Sequence, residues 1–168
     1  SNNYGPFHFP EKFIPHIILS ALAVNDIPIY GDGTQIRDWI YVKDHVQGIL
    51  DVCFNGHAGE TYNIGGSNEV KHIDTAIMIC DILDNSISEK PNGLNSFRDL
   101  IQFVKDRPGH DLRYAIDSSK IRTELLWVPK TSFKDGLEET VKWYLDNEDW
   151  WAEILNKKYS LKRLGRLE

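Results

Sequence analysis

Two arginines set among turns are the residues best placed to do chemistry. Arg37 stands in Gln35-Ile36-Arg37-Asp38-Trp39, on an expected strand just after the tight turn Gly31-Asp32-Gly33. A guanidinium held there presents a rigid fork of donors that suits a phosphate. An ion pair with Asp38 or Asp44 is the other use the spacing allows. Arg107 lies in Asp106-Arg107-Pro108-Gly109-His110. Pro and Gly fix the backbone of that loop, as a positioned ligand contact requires and as an ordinary turn also shows. Lys12, near a helix start, puts a cation where the helix dipole disfavours one. A bound anion would offset that, and a solvated surface lysine is the plain alternative. Tyr30 offers a face either for stacking on a base or for covering core.

Other chemistries find no residues to carry them. Gly31-Asp32-Gly33-Thr34-Gln35-Ile36 lacks the third glycine of a dinucleotide fingerprint and is followed by a strand pattern, so it reads as a turn. No Tyr is followed four residues later by Lys, and no Gly-x-Ser-x-Gly elbow is present. The six histidines make no metal-ligand spacing, and Cys-x-x-Cys is absent. The residues point to binding, with no catalytic constellation and no metal site.

Alternating strands and helices must position these side chains. Glu11 to Val24 carries Phe13, Ile14, Ile17, Ile18, Ala21 and Leu22 at three-to-four spacing, which predicts a helix. Pro10 and Pro15 must then fall in its first turn, which moves the start toward Ile14. Ile27 to Tyr30 and Ile36 to Tyr41 predict strands. Val46, Ile49, Leu50 and Cys53 predict an amphipathic helix with Asp44 as N-cap, ended by Asn55-Gly56. Thr61 to Ile64, before Gly65-Gly66, predicts a strand, and Ile73, Ala76, Ile77 and Cys80 mark the next helix. The polar stretch Asn85 to Ser96 reads as a surface connection. Ile101 to Val104 and Leu112 to Ile116 are strand candidates flanking the 106–110 loop. Asp117 is expected to cap a short helix ending near Leu126, and Thr131 or Ser132 to start a last one carrying Leu137, Val141, Tyr144 and Leu145. The opening Ser1-Asn2-Asn3-Tyr4-Gly5-Pro6 reads as a loop presenting side chains, the middle of a site whose other half is missing. The alternation defines an α/β fold over residues 1–154, with a basic tail at 155–168 expected to fray.

A chain of 168 residues with 41% hydrophobic and 11% aromatic content holds one ordinary core. Its net charge of -6 argues against a general nucleic-acid or membrane-surface binder, so an anionic ligand needs a local basic cluster. No apolar run approaches membrane-spanning length, and no basic-then-apolar signal segment is expected. Cys53 and Cys80 are expected as buried free thiols in a reducing, cytoplasmic compartment.

Taken together, Ser1 to Pro15, Pro28-Ile29-Tyr30-Gly31, Gln35 to Val42, Gly59 to Gly66 and Asp106 to Asp117 resemble the carboxyl-terminal half of the bacterial dTDP-glucose 4,6-dehydratases, members of the extended short-chain dehydrogenase/reductase superfamily. The Asn-x-Tyr-Gly-Pro and Tyr-Val-x-Asp pieces are shared with nucleotide-sugar epimerases and decarboxylases. Arg37-Asp38-Trp39 and Asp106 to Asp111 point more narrowly to the dTDP-glucose family. The resemblance implies an NAD-dependent lyase that turns dTDP-glucose into dTDP-4-dehydro-6-deoxyglucose and water, toward rhamnose and other deoxysugars. It implies that the NAD-binding Rossmann fold, the Tyr-Lys pair and the acid-base carboxylates lie in a missing amino-terminal half. This chain is then the substrate-binding half, inactive alone, with Thr61 to Ile64 a strand returning to the Rossmann sheet, and the full-length enzyme is a homodimer.

Carried over by motif, Asn2 contacts substrate and Asn3 lies at the cofactor side. Lys12 and Phe13 line the cleft, and Pro28, Ile29 and Tyr30 hold the thymine end. Arg37 and Arg107 share the diphosphate charge. Asp106, Pro108, Gly109 and His110 complete that loop, and His72 stands where the family usually carries Asn. Two alternatives stay open: a non-catalytic nucleotide-sugar-binding truncation, and another nucleotide-sugar epimerase or decarboxylase.

Overall fold

The computed structural model describes residues 1–157. In chain order the elements are β1 (Asn2–Tyr4), α1 (Phe13–Leu22), β2 (Ile27–Tyr30), β3 (Ile36–Tyr41), α2 (Val42–Asn55), β4 (Glu69–Lys71), α3 (His72–Ser86), β5 (Ile101–Val104), β6 (Arg113–Tyr114), α4 (Ser119–Leu125), α5 (Phe133–Asp146) and α6 (Glu148–Lys157). Two 3-10 turns, Pro91–Gly93 and Phe97–Leu100, sit in the polar connection after α3.

β3 organises the rest. Every residue from Arg37 to Tyr41 is buried, so both faces of this strand are covered. Strand alternation sends Arg37, Trp39 and Tyr41 to one face and Asp38 and Ile40 to the other. β1 pairs with β3 in parallel, Asn2 opposite Trp39 and Tyr4 opposite Tyr41. β4 pairs antiparallel with its first half, and β6 adds in parallel at Ile36 and Arg37. β2 and β5 form a separate parallel pair from Ile27↔Ile101 to Tyr30↔Val104. The main core lies between these strands and α1, α3 and α5, with Tyr4, Ile14, Ile18, Trp39, Ile79, Leu83, Leu137 and Tyr144 all buried. A smaller cluster of Ile40, Ile121 and Trp127 covers the other face of β3.

The helix α1 starts at Phe13, so Pro15 falls at the third helical position, where no intrahelical N–H is lost. Ser132 caps α5 by accepting from the Asp135 N–H, as the sequence pattern anticipates. Elsewhere tertiary context overrides local pattern. The opening residues form a strand, not a presenting loop, because β3 supplies a partner for Asn2 to Tyr4 and Tyr4 seats in the core. Thr61 to Ile64 is not a strand: Tyr62 is tied to Glu124 and Asn63 to the Asp117 carbonyl by side chains rather than by a ladder. The strand falls instead at β4. The candidate at Leu112 to Ile116 shrinks to Arg113–Tyr114, the two residues that reach β3. Tyr41, not Asp44, is the N-cap of α2; the Asp44 carboxylate accepts from the Thr131 N–H at 2.8 Å. Asp117 accepts from the Ser119 N–H, but Ser118 occupies the N-cap of α4.

The apolar stripe of α2 is largely exposed. Val46 and Ile49 are 50% exposed, Leu50 43% and Phe54 79%. Cys53, on the same stripe, is exposed and only Cys80 is buried, its thiol pushed up to about 12 first by burial. The first residues of the tail, Leu155 to Lys157, continue α6 rather than fray; the remainder, 158–168, lies outside the described residues. Among the described residues no helix is long and apolar enough to cross a membrane.

Candidate functional site

Four segments converge on the Arg37–Trp39 face of β3. Lys12 is the N-cap of α1, with extended backbone (φ -76°, ψ 155°), and its side chain is solvated 3.9 Å from Glu11. Phe13, the next residue, stacks on His72 with ring centroids 4.2 Å apart and on Trp39 at 6.3 Å. His72 opens α3, its backbone N–H donating to the Gln35 carbonyl at 2.9 Å. The row of rings continues from His72 to His110 at 5.6 Å, and from His110 to Tyr30 at 6.2 Å, edge to face. Thus Tyr30 of β2, His110 of the loop, His72 of α3 and Phe13 of α1 stand in sequence beside Arg37.

Arg37 is 7% exposed, and its Nη1 donates to the carbonyls of Ile36 at 2.7 Å and Asp111 at 3.0 Å. Neither ion pair that the spacing allows forms. Asp38 instead accepts from the N–H groups of Gly66 (3.1 Å) and Asn68 (2.8 Å), and Asp44 from Thr131. Among the described residues no hydrogen bond engages Nε or Nη2 of Arg37. Burial lowers the Arg37 pKa, Asp111 opposes that, and Arg107 adds to it by repulsion. A guanidinium remains charged under such a push. Two cations that repel each other are relieved by an anion between them.

The 106–110 loop is built on Asp106. One oxygen of its carboxylate takes His110 Nδ1 at 2.7 Å and the Arg107 N–H at 2.8 Å; the other accepts from Gln35 Nε2 at 3.0 Å. The His110 hydrogen bond is the first cause that holds this carboxylate below its usual range, even though the group is exposed. Gly109 takes φ +68°, a left-handed turn that glycine adopts without strain, and Pro108 and Gly109 are both exposed. Arg107 is exposed at the loop's tip.

The remaining expected residues divide by face. Asn2, in register with Trp39, shares the ring-lined face, whereas Asn3 pairs with Ile40 and turns to the opposite one. The Asn3 side-chain carbonyl is buried and has no hydrogen-bond partner among the described residues. Pro28 and Tyr30 alternate outward on β2, whereas the Ile29 side chain is wholly in the core.

Gln35 is the residue that motif reasoning passed over. It is 4% exposed, its backbone carbonyl accepts from the His72 N–H and its side-chain Nε2 donates to the Asp106 carboxylate, so it fixes α3 and the 106–110 loop relative to β3. The signal was a polar residue directly before a buried strand. Gln35→Ala is expected to remove one of the three partners of the Asp106 carboxylate and weaken ligand binding by about 1–2 kcal/mol, with the backbone contact to His72 retained. Titration calorimetry reads this, and affinity within twofold of wild type would remove Gln35 from the site's scaffold. Trp39 is also newly placed here: its indole N–H is buried without a hydrogen-bond partner among the described residues.

The family model for GDP-mannose 4,6 dehydratase matches residues 1–140. A dTDP-glucose 4,6-dehydratase of Escherichia coli is 55% identical over 168 residues, which is 100% of this chain and 46% of that protein. The dTDP-glucose 4,6-dehydratase of Bacillus anthracis, solved in complex with NAD, superposes with a TM-score of 0.79 at 43% identity over 92% of this chain and 45% of its own. The enzyme of the same name from Streptomyces venezuelae, also solved with NAD, gives 0.78 at 40% identity over 91% of this chain and 44% of its own. The chain spans about half the length of the relatives it matches.

Proposed function

The chain belongs to the GDP-mannose 4,6 dehydratase family, and from that premise we propose that it is the part of a dTDP-glucose 4,6-dehydratase that grips the nucleotide sugar. The observation that carries this reading is the row Phe13, His72, His110 and Tyr30, with buried Arg37 beside it and Arg107 on the same loop as His110. A nucleoside diphosphate sugar needs cations for its diphosphate and flat faces for its base. In this reading Arg37 and Arg107 share the diphosphate charge, and Asp106, Pro108, Gly109 and His110 hold Arg107 in place. Tyr30 and Pro28, with the Ile29 backbone, take the thymine end. Lys12 and Phe13 flank the cleft, and Asn2 meets the sugar.

NAD, when bound, accepts and returns a hydride. Of this chain's residues Asn3 fits it best, because a buried carbonyl without a partner suits a donor brought by a cofactor. The chain's own task is to bind the sugar and orient it. The NAD fold and the acid-base groups we place in the length of the relatives that this chain does not span. The bare apolar face of α2 supports that division. Val46, Ile49, Leu50 and Phe54 line one side of it, and exposed Leu126 and Val128 add further apolar surface. Apolar surface of that kind is normally covered by protein.

The chain alone is expected to bind dTDP-glucose in a calorimetric titration and, supplied with NAD, to form no 4-keto product. Turnover by the chain alone would overturn the division of labour. Absence of binding would overturn the site itself.

A further inference from the structure

His72 is held between two rings at the centre of the site. Phe13 stacks on it at 4.2 Å, and His110 lies tilted against it at 5.6 Å. The charged groups that face it come from two elements: Arg37 from β3, and Arg107, Asp106 and His110 from the loop. From α1 it meets the uncharged Phe13 ring, with Lys12 one residue before; its sequence neighbours Lys71 and Asp74 are exposed. Three of the four facing groups are positive or can become so. Two of those, Arg37 and Arg107, are the ones a diphosphate would neutralise.

We propose that His72 is the protonatable contact of this site, its imidazole taking up a proton as a diphosphate seats between Arg37 and Arg107, so that affinity rises as pH falls. This rests on reading the site as a diphosphate site. In the free protein burial first, then Arg37, His110 and Arg107, push His72 down to about 4, with Asp106 alone opposing. The ring is therefore neutral at neutral pH. A bound diphosphate cancels the repulsion of both arginines and adds an attraction of its own, and each change favours the imidazolium. The ring's pKa is then higher in the complex than in the free protein. Affinity accordingly grows as pH falls through the bound value and levels off below the free one.

His110 Nδ1 already engages the Asp106 carboxylate at 2.7 Å. No hydrogen bond holds the His72 ring among the described residues.

The test is made on the longest native protein that contains residues 1–168. The probe is the monophenyl ester of thymidine diphosphate, whose phosphates have no proton to release near neutral pH, so any proton change belongs to the protein. Ring resonances of His72 are followed by NMR against pH, with and without saturating ester, and assigned through its backbone. The midpoint is expected to rise by about one pH unit or more on binding. Calorimetry at pH 5 in buffers of different ionisation enthalpy, each protein saturated with ester, is expected to show proton uptake by wild type that largely disappears in His72→Asn. A midpoint unmoved by the ester, or uptake undiminished in His72→Asn, overturns the proposal and leaves the diphosphate site standing. Failure of the wild-type protein to bind the ester overturns both. The wild-type NMR titration decides the question even where His72→Asn does not fold.

Discussion

Arg37→Ala is expected to weaken binding of dTDP-glucose by about 1.5–3 kcal/mol, roughly 10–150-fold in dissociation constant. The size follows from where the guanidinium sits. A surface arginine would be screened and worth little, but Arg37 is 7% exposed and anchored through Nη1 by two backbone carbonyls. Its remaining donors are thus pre-oriented, and ordering them costs little on binding. Arg37→Lys keeps a charge but loses the planar fork, so it is expected to recover only part of the loss. The competing view is that Arg37 is a tether for Asp111. The truncation would then lower the melting temperature and leave affinity alone, because the Ile36 N–H still reaches the Leu112 carbonyl and keeps β6 beside β3. Measured together, affinity and melting temperature separate the two roles: an unchanged dissociation constant beside a lowered melting temperature makes Arg37 structural.

What the sequence could disclose divides along the same physical line. Elements with strong local patterns were legible: the three-to-four stripe of α1, the alternating Ile27 to Tyr30, and the Ser132 cap of α5 all appear where periodicity places them. β1 was hidden because Asn2 and Asn3 have low strand propensity, and the strand exists only by pairing with β3. β4, with Glu69 and Lys71 exposed around Val70, likewise draws its order from its partner. The stripe of α2 was read correctly as helical, and Cys53 on it wrongly as buried, since periodicity reports a face and not what covers it. The site was legible in Arg37 and the 106–110 loop, whose turn chemistry is local. The Gln35 contacts to His72 and Asp106, and the His72–Phe13 stack, join residues distant in sequence, and no spacing rule could assemble them.

The strand that holds Arg37 is itself held by a glycine, and replacing it gives the largest stability effect expected here. A Cβ on Gly66 would lie 1.8 Å from the Trp39 carbonyl oxygen, 2.6 Å from its carbon and 3.1 Å from the Ile40 Cα. All three are backbone atoms of the central strand, so no side chain can swing aside. The 66–68 segment is pinned at this distance by three hydrogen bonds: Gly66 N–H and Asn68 N–H to the two oxygens of buried Asp38, and Trp39 N–H to the Asn68 carbonyl. Moving the segment away to make room would leave the Asp38 carboxylate buried without its donors, which is costly. Gly66→Ala is therefore expected to cost about 3–5 kcal/mol, a large share of a domain's stability, and to lower the melting temperature by roughly 6–20 °C. Gly59→Ala is the matched control. Gly59 has φ +83° and no atom within 4 Å of its would-be Cβ, so only backbone strain applies, about 1 kcal/mol. Equal melting temperatures for the two variants would mean that the 66–68 segment does not press on β3. A deep loss confined to Gly66→Ala would place the constraint in space rather than in φ, and would tie the packing behind Asp38 to the strand that presents Arg37.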